Sequence, residues 1–211
     1  MIKILIADDH PVVREGLKQI ISKADDMFVA GEALNGIQVI QMVENEKWDV
    51  VVLDIGMPGK DGLEVLKDIK KQNPELPVLI LSMYPEEQIA VRTYKVGAAG
   101  YMNKETAPKE LVNAIRKIYN GGKYVSSALA EKLVSGLDSD EEKKPYDLLS
   151  DREFQVLRMI ASGKNLDEIA EELFISVKTV RTYRDRILDK LKLKNDVEIA
   201  RYALKNKLLE N

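Results

Sequence analysis

Two patterns of apolar residues alternate over residues 1–120, and this alternation constrains the fold more than any other feature. Short β-rich apolar runs predict strands at Ile2–Ala7, Phe28–Gly31, Val50–Leu53, Val78–Leu81 and Ala99–Met102. Apolar residues at helical spacing predict helices at Val12–Ala24, Gly36–Glu44, Gly62–Gln72, Glu87–Val96 and Pro108–Tyr119. Strands that alternate with helices form a parallel sheet covered on both faces. The sequence therefore predicts an α/β domain with a doubly wound, five-stranded parallel sheet.

The pattern changes in the last third of the chain. Residues 127–136 can continue as one more helix, and the charged segment Asp138–Pro145 that follows has the composition of a linker. From Leu149 onward only helices are predicted, at Asp151–Ser162, Asn165–Leu173, Val177–Leu191 and Val197–Lys207. We therefore expect a first domain at 1–122, a helical and charged linker at 123–147 and a small all-α domain at 148–211.

Two helix starts in the second domain carry recognisable capping residues. Ser150 is followed three residues later by Glu153, which is the spacing of a capping box. Ser176 precedes the third helix as an expected N-cap residue. Short turns between these helices predict a compact helical domain.

Composition excludes several classes of protein. The 211 residues include no cysteine, which excludes disulfides and thiolate metal sites and favours a reducing cytoplasm. The first apolar run ends at Asp8 and Asp9, unlike a signal peptide, and no segment approaches the roughly 20 apolar residues that span a bilayer. We expect a soluble cytoplasmic protein with no membrane partner.

Charge is distributed unevenly along the chain. Residues 1–148 carry 19 Lys and Arg against 24 Asp and Glu, whereas residues 149–211 carry 13 against 11. Within residues 176–194 the ratio is 7 to 2. The locally basic segment indicates a polyanionic partner.

Polar side chains follow four of the predicted strands where those strands end. They are Asp8 and Asp9, Asp54, Ser82 and Lys104. Because the carboxyl ends of parallel strands converge on one crevice, we expect these groups to lie together. Three carboxylates there would repel one another unless a hard cation such as Mg²⁺ intervened. Lys104 adds a fixed positive charge, and Ser82 adds a hydroxyl that can bind a phosphoryl oxygen.

This set suits transfer of a phosphoryl group to a carboxylate. Asp54 would be the nucleophile, while Mg²⁺ and Lys104 would neutralise charge on the phosphoryl oxygens. Asp8 and Asp9 would hold the metal, one of them directly. Taken singly, each residue has a commoner role: an aspartate after a strand caps a helix or forms a turn, and a lysine is a solvated charge. His10, the only histidine, is expected to be a surface residue rather than a catalytic base.

Residues 1–122 resemble the receiver domain of bacterial response regulators. The matching segments are Asp8–Pro11, Leu53–Gly62, Leu81–Ser82 and Gly100–Lys104. The resemblance implies that a partner histidine kinase phosphorylates Asp54. It also implies a Mg²⁺ site formed by Asp9, Asp54 and the backbone carbonyl of Gly56, with Asp8 assisting.

Two further roles come from the same resemblance. Ser82 and Tyr101 are implied to be switch residues, such that Ser82 moves to the phosphoryl group and Tyr101 rotates inward. Without the resemblance, Tyr101 would be interpreted as a half-buried strand aromatic. Gly62, Gly97 and Gly100 are expected to allow tight turns or close approach of the backbone.

The helix predicted at Val177–Leu191 has two distinct faces. One is an apolar stripe formed by Val177, Val180, Ile187, Leu188 and Leu191. The other, which we call the polar face, comprises Lys178, Arg181, Thr182 and Asp185. Such a helix can enter a major groove, where Arg181 can contact a guanine edge while Lys178, Thr179 and Arg184 position phosphates. The alternative is an ordinary solvated face; the short turn from the preceding helix favours a helix-turn-helix.

Residues 148–211 resemble the LuxR-type helix-turn-helix output domain. The matching segments are Leu149–Glu153, Val156–Leu157, Ile169–Ala170, Leu173, Ile175–Ser176, Lys178–Val180 and Lys190–Leu191. The whole chain thus resembles the NarL/FixJ class of response regulators, in which the second helix of the motif contacts DNA and the last helix forms a dimer contact. The corresponding dimer residues are Val197, Ala200, Ala203 and Leu204, which core packing explains equally well.

Two positions depart from the family pattern. Tyr183 stands where many relatives carry histidine, and Asp185 stands where some carry a basic or neutral residue. An acid on the polar face repels phosphate but can accept a hydrogen bond from cytosine. The operator sequence is therefore not predictable by analogy.

The resulting hypothesis is a transcription regulator whose binding to double-stranded promoter DNA is controlled by phosphorylation, as a homodimer when phosphorylated. A Mg²⁺-dependent phosphatase with an aspartyl nucleophile is the enzymatic alternative, but Ile55 and Gly56 supply no second carboxylate after Asp54. We therefore predict that the protein is not an enzyme. A phosphorylated protein-interaction module without a DNA role is a third possibility, against which the polar face argues.

Overall fold

The computed structural model describes residues 1–57, 60, 62–83, 86–126, 129–130, 145–206 and 208–209. The chain divides into two compact units, Met1–Leu137 and Asp138–Asn211. Apart from residues 129, 130 and 145, the helix predicted at 127–136 and the charged segment Asp138–Pro145 lie outside the described residues. The domain boundaries at 122 and 148 stay predictions.

The first unit contains a parallel sheet of five strands within its described residues. The strands are β1 (Ile2–Ala7), β2 (Met27–Ala33), β3 (Val50–Asp54), β4 (Val78–Ser82) and β5 (Gly100–Asn103). Helices α1 (Pro11–Ile21), α2 (Gly36–Asn45), α3 (Gly62–Gln72), α4 (Glu86–Val96) and α5 (Ala107–Tyr119) alternate with them. The strand order β2-β1-β3-β4-β5 confirms the predicted doubly wound sheet.

Both faces of the sheet are covered by helices. On one face α1 lies beside α5 over alternate residues of β1, which include Ile4 and Ile6. On the other, α2, α3 and α4 pack side by side. All residues of β3 and β4 are buried, because these central strands have a helical layer on each side. The aspartate and serine that end β3 and β4 are therefore held at the floor of a crevice.

In the first unit, two predicted boundaries were wrong by two residues or more. β2 extends from Met27 to Ala33 instead of stopping at Gly31, because as an edge strand it tolerates the polar Glu32 on its less buried side. α1 ends at Ile21 rather than Ala24, since the backbone N–H of Ser22 closes the last turn on Lys18. The prediction for α3 agreed at both ends.

The second unit is all-helical within its described residues. A 3₁₀ turn at Pro145–Leu148 precedes α6 (Asp151–Ala161), α7 (Leu166–Glu172), α8 (Val177–Leu191) and α9 (Asp196–Lys205). The predicted capping box of Ser150 and Glu153 and the predicted N-cap at Ser176 are confirmed. Among the described residues, no helix combines the length and the apolar character needed to cross a bilayer.

Candidate functional site

Strand pairing brings the predicted groups of the first unit to one edge of the sheet. Asp54 is in register with Leu81, the residue before Ser82. The backbone N–H of Lys104 donates to the carbonyl of Ser82 at 2.9 Å, and the N–H of Asp8 donates to the carbonyl of Ala33 at 3.2 Å. Backbone hydrogen bonds at the edge of the sheet thus fix the backbone positions from which these side chains project.

The side chains converge on the ammonium group of Lys104. Its Nζ lies 2.8 Å from Oδ2 of Asp8 and 2.9 Å from Oδ2 of Asp54. Asp8 and Asp54 are almost completely buried, whereas Asp9 is partly exposed at the rim. We call Asp8, Asp9 and Asp54 the carboxylate cluster. One fixed cation cannot balance three carboxylates, so the cluster retains an excess of negative charge.

Burial dominates the electrostatics of the two central groups. Burial raises the pKa of the Asp54 carboxyl above its ordinary value, and the Asp8 carboxylate adds to this, although Lys104 and the N–H of Gly56 act in the opposite direction. Burial alone would lower the pKa of Lys104, but the Asp54 and Asp8 carboxylates outweigh it, so that its pKa is raised. Lys104 therefore stays charged, and Asp54 lies where a further cation would stabilise its ionised form.

The donor set fits a hard divalent cation. Ligand atoms from Asp8, Asp9, His10 and Asp54 all lie within 4.8 Å of one another. Among the described residues, one buried oxygen of each carboxylate in the cluster accepts no well-oriented hydrogen bond, even though Lys104 is near two of them. Carboxylate oxygens with spare acceptor capacity are the ligands that Mg²⁺ prefers. The cluster can hold such an ion.

The commonplace role of Asp9 as a helix cap is not what the structure shows. The N-cap residue of α1 is His10, whose side chain makes no capping hydrogen bond. His10 is exposed, as expected, with Nδ1 2.9 Å from Oδ1 of Asp9. The Asp9 carboxylate instead lies close to those of Asp8 and Asp54.

Two glycines shape the backbone beside Asp54. The N–H of Gly56 donates to Oδ1 of Asp54 at 3.0 Å, which orients the carboxylate. Gly62 begins α3 so close to the strand end that a Cβ there would lie 2.5 Å from Cα of Ile55 and 2.6 Å from the carbonyl oxygen of Asp54. The predicted close approach at Gly62 is therefore confirmed.

The two predicted switch residues are both buried. Ser82 ends β4 at the floor of the crevice. Tyr101 is completely buried in β5, so the interpretation of a half-buried aromatic was wrong. Its inward side chain lies on the strand that leads directly to Lys104.

Sequence reasoning missed Arg14. Its Nη1 donates to the carbonyl of Asp8 at 2.9 Å, and its Nε donates to Glu32 at 3.0 Å. Arg14 thereby ties α1 to the end of β1 and to β2. No motif marks it, because the contact depends on how α1 turns back onto the sheet.

In the second unit the polar face of α8 is exposed as predicted. Lys178, Arg181, Thr182 and Asp185 are all exposed, while Val180, Ile187 and Leu191 are buried on the opposite side. The turn before α8 places Phe174 at φ 54°, and the hydroxyl of Ser176 accepts from the N–H of Thr179 at 3.1 Å.

Arg184 is more engaged than the sequence indicates. Its Nε donates to Asp196 at the start of α9 at 2.6 Å, and its Nη1 donates to Asp185 at 3.3 Å. Two carboxylates thus already hold the guanidinium for which a phosphate contact is predicted. Of the other predicted phosphate contacts, Thr179 has its hydroxyl 2.8 Å from the hydroxyl of Ser176, and Lys178 is exposed on the polar face.

One of the four predicted dimer residues is corrected by the structure. Ala203 is completely buried in the core of the second unit, because α9 packs this face against α6. Val197 and Leu204 are 67% and 66% exposed on the same face of α9, and Ala200 is partly exposed between them.

Two family models match the chain. Residues 4–116 match the response regulator receiver domain, and residues 147–203 match the bacterial regulatory proteins of the luxR family.

Similar proteins extend over nearly the whole chain. The oxygen regulatory protein NreC of Staphylococcus carnosus is 39% identical over 99% of each chain. The response regulator UvrY of Escherichia coli K12 is 35% identical over 99% of this chain and 96% of that protein. Among solved structures, RcsB of Salmonella enterica serovar Typhimurium bound to promoter rprA in the presence of the phosphomimetic BeF₃⁻ is 29% identical. It covers 95% of this chain and 97% of that one, with a TM-score of 0.69.

Proposed function

The chain belongs to the NarL/FixJ class of two-component response regulators, and we propose that a phosphoryl group on Asp54 controls its binding to promoter DNA. The partners of this class are a sensor histidine kinase and DNA. The observation that carries the proposal is the Lys104 ammonium held between Asp8 and Asp54 at 2.8 and 2.9 Å.

Asp54 is the proposed acceptor. An oxygen of its carboxylate attacks the phosphorus of a phosphohistidine, the phosphorus–nitrogen bond breaks, and the imidazole leaves with the bonding electrons. The product is an acyl phosphate on Asp54. Lys104 is placed to neutralise charge on the phosphoryl oxygens, and Ser82 ends its strand beside the site, where its hydroxyl can bind one of them.

Asp9, Asp54 and the backbone carbonyl of Gly56 would hold Mg²⁺, with Asp8 assisting. The ion would supply charge neutralisation at the phosphoryl oxygens. This assignment is supported by the spare carboxylate oxygens of the cluster and by its excess negative charge.

We place Ser82 and Tyr101 in the response to phosphorylation. Ser82 would move to the phosphoryl group, and the inward, buried position that Tyr101 has in this structure would be stabilised. The phosphoryl group acts here as a signal and not as a step in turnover, because Gly56, two residues after Asp54, offers no general acid. We therefore infer that the protein is not a phosphatase.

The polar face of α8 is the proposed DNA contact. Arg181 would donate to a guanine edge, Lys178 and Thr179 would contact phosphates, and Thr182 would lie against the bases. Asp185 has two candidate roles, as an acceptor for cytosine or as a partner that orients Arg184. Val197, Ala200 and Leu204 would form the homodimer contact. Binding to chromosomal DNA would require a cytoplasmic location.

The proposal is tested by selection of genomic DNA fragments followed by footprinting. Wild type and Asp54→Ala are each assayed with and without beryllofluoride, with Asp25→Asn as control. Asp25 is exposed before β2, at the opposite end of the sheet from the cluster. Wild type and the control should protect a discrete site more strongly with beryllofluoride, and Asp54→Ala should not respond. If no form binds any fragment above the non-specific level, the proposal fails.

A further inference from the structure

The edge of the sheet beside Tyr101 is covered by the chain that leaves α5. β5 is an edge strand, so its outer backbone groups need partners other than a sixth strand. The N–H of Tyr124 donates to the carbonyl of Ala99 at 2.9 Å, and Nζ of Lys123 donates to the carbonyl of Ala98 at 2.8 Å. An isolated parallel bridge pairs Gly100 with Tyr124. We call residues 122–126 the docked segment.

Gly100 makes this approach possible. A Cβ on Gly100 would lie 2.9 Å from Cβ of Tyr124 and 2.8 Å from Cδ1 of Leu79. Any side chain there would push the docked segment away from β5. The docked segment therefore packs directly against the backbone of β5 at Gly100, the residue before Tyr101.

A tyrosine hydroxyl from α4 is inserted between the strand and the docked segment. The Tyr94 hydroxyl accepts a hydrogen bond from the backbone N–H of Tyr101 at 3.1 Å and donates one to the backbone carbonyl of Tyr124. A parallel ladder would join that N–H and that carbonyl directly. One phenol thus connects α4, β5 and the docked segment.

We infer that Tyr94 is a positioning residue that couples Tyr101 to the chain leading to the second unit. The inference rests on the proposed function, in which Tyr101 responds to phosphorylation. Because the hydroxyl holds the backbone of Tyr101 on one side and that of Tyr124 on the other, a shift of Tyr101 moves the start of the docked segment. Without the hydroxyl, the bonds to Ala98 and Ala99 still hold the docked segment, but the hydrogen bond that links the Tyr101 N–H to that segment through Tyr94 is lost.

The test uses the full chain carrying Tyr94→Phe, which removes only the oxygen. The quantity measured is the ratio of promoter affinities with and without beryllofluoride, on a fragment selected by wild type. We expect this ratio to fall about fivefold, the change that one hydrogen bond of ordinary strength supplies. Affinity for beryllofluoride in the absence of DNA, and hydrogen exchange at the Tyr101 amide, are measured in parallel; exchange should become faster.

Tyr124→Phe is the matched control. It removes the hydroxyl of the docked segment that donates a hydrogen bond to Glu110 of α5. It leaves the hydrogen bond from the Tyr94 hydroxyl to the backbone carbonyl of residue 124 in place, which we call the Tyr94 relay. A normal ratio in this control together with a reduced ratio in Tyr94→Phe supports the inference. An unchanged ratio in Tyr94→Phe, or equal losses in both variants, overturns it. If wild type itself shows no beryllofluoride effect, the proposed function fails instead.

Discussion

Asp54 and Arg181 are the central side chains of the two units, and their surroundings are opposite. Asp54 is buried at the end of a central strand, with Lys104 2.9 Å away and the N–H of Gly56 3.0 Å from its other oxygen. Arg181 projects from an exposed helix face. The carboxylate cluster is preorganised by the sheet, and burial makes its electrostatics strong. The polar face is solvated, so the free energy that its side chains contribute depends on the DNA to which they bind.

The two units therefore tolerate substitution differently. A change in the carboxylate cluster disturbs buried charges that depend on one another. A change on the polar face would alter the proposed contact with DNA, while the apolar stripe of α8 still holds the fold.

Replacement of Asp54 by Asn should abolish phosphorylation, because the side-chain amide of asparagine is not a nucleophile that can form an acyl phosphate. Acetyl phosphate is the donor, and borohydride, which reduces an acyl phosphate to homoserine, marks the acceptor for mass spectrometry. Asp25→Asn should be labelled as wild type is. Full labelling of Asp54→Asn, or a label on Asp8 or Asp9 in wild type, would contradict the assignment.

Replacement of Arg181 by Ala should weaken promoter binding by about 1–3 kcal/mol and relax the preference at one base pair. Lys178→Ala should weaken binding to all sequences alike and reduce the slope of log affinity against log salt by about 1. Anisotropy titrations at several salt concentrations on cognate and scrambled duplexes separate these effects. Identical behaviour of the two variants would mean that Arg181 contacts no base.

Asp54 should make the folded state less stable as pH rises. Burial raises its pKa above the unfolded value, so between those two values the folded state binds more protons, and the free energy of unfolding decreases with increasing pH. Asp54→Asn should lose that slope and be the more stable protein above this window in the presence of EDTA. Urea denaturation across a pH series measures this, with Asp25→Asn as control. Equal slopes in all three proteins would show that Asp54 is not strained by burial.

The smallest effect is expected at Phe174. A φ of 54° is costly for a residue with a Cβ. Because Phe174 is 80% exposed, removal of its side chain loses little packing. Phe174→Gly should raise the free energy of unfolding by about 1 kcal/mol. Phe174→Ala, which keeps the Cβ, should change it little, and a gain as large as that of glycine would rule out backbone strain as the cause.

The same contrast explains what could be predicted from the sequence. The apolar runs Val50–Leu53 and Val78–Leu81 predict buried strands of a sheet, and the ends of those strands position Asp54 and Ser82. Contacts between elements could not be predicted in this way. The bond from Arg14 to Asp8, the pair of Arg184 and Asp196 and the Tyr94 relay each depend on how a helix rotates against its neighbour. Ala203 was misassigned because helical spacing does not distinguish a core face from a dimer face.

The central claim is that the state of Asp54 and the affinity for DNA are coupled. Coupling is reciprocal, so promoter DNA must raise the affinity for beryllofluoride by the same factor by which beryllofluoride raises the affinity for DNA. Fluorine NMR titrations of beryllofluoride, with and without a saturating promoter fragment, measure this factor directly. We expect an increase of at least about fivefold, the lower end of typical allosteric coupling. An affinity for beryllofluoride that is unchanged by promoter DNA would contradict coupling between Asp54 and DNA binding.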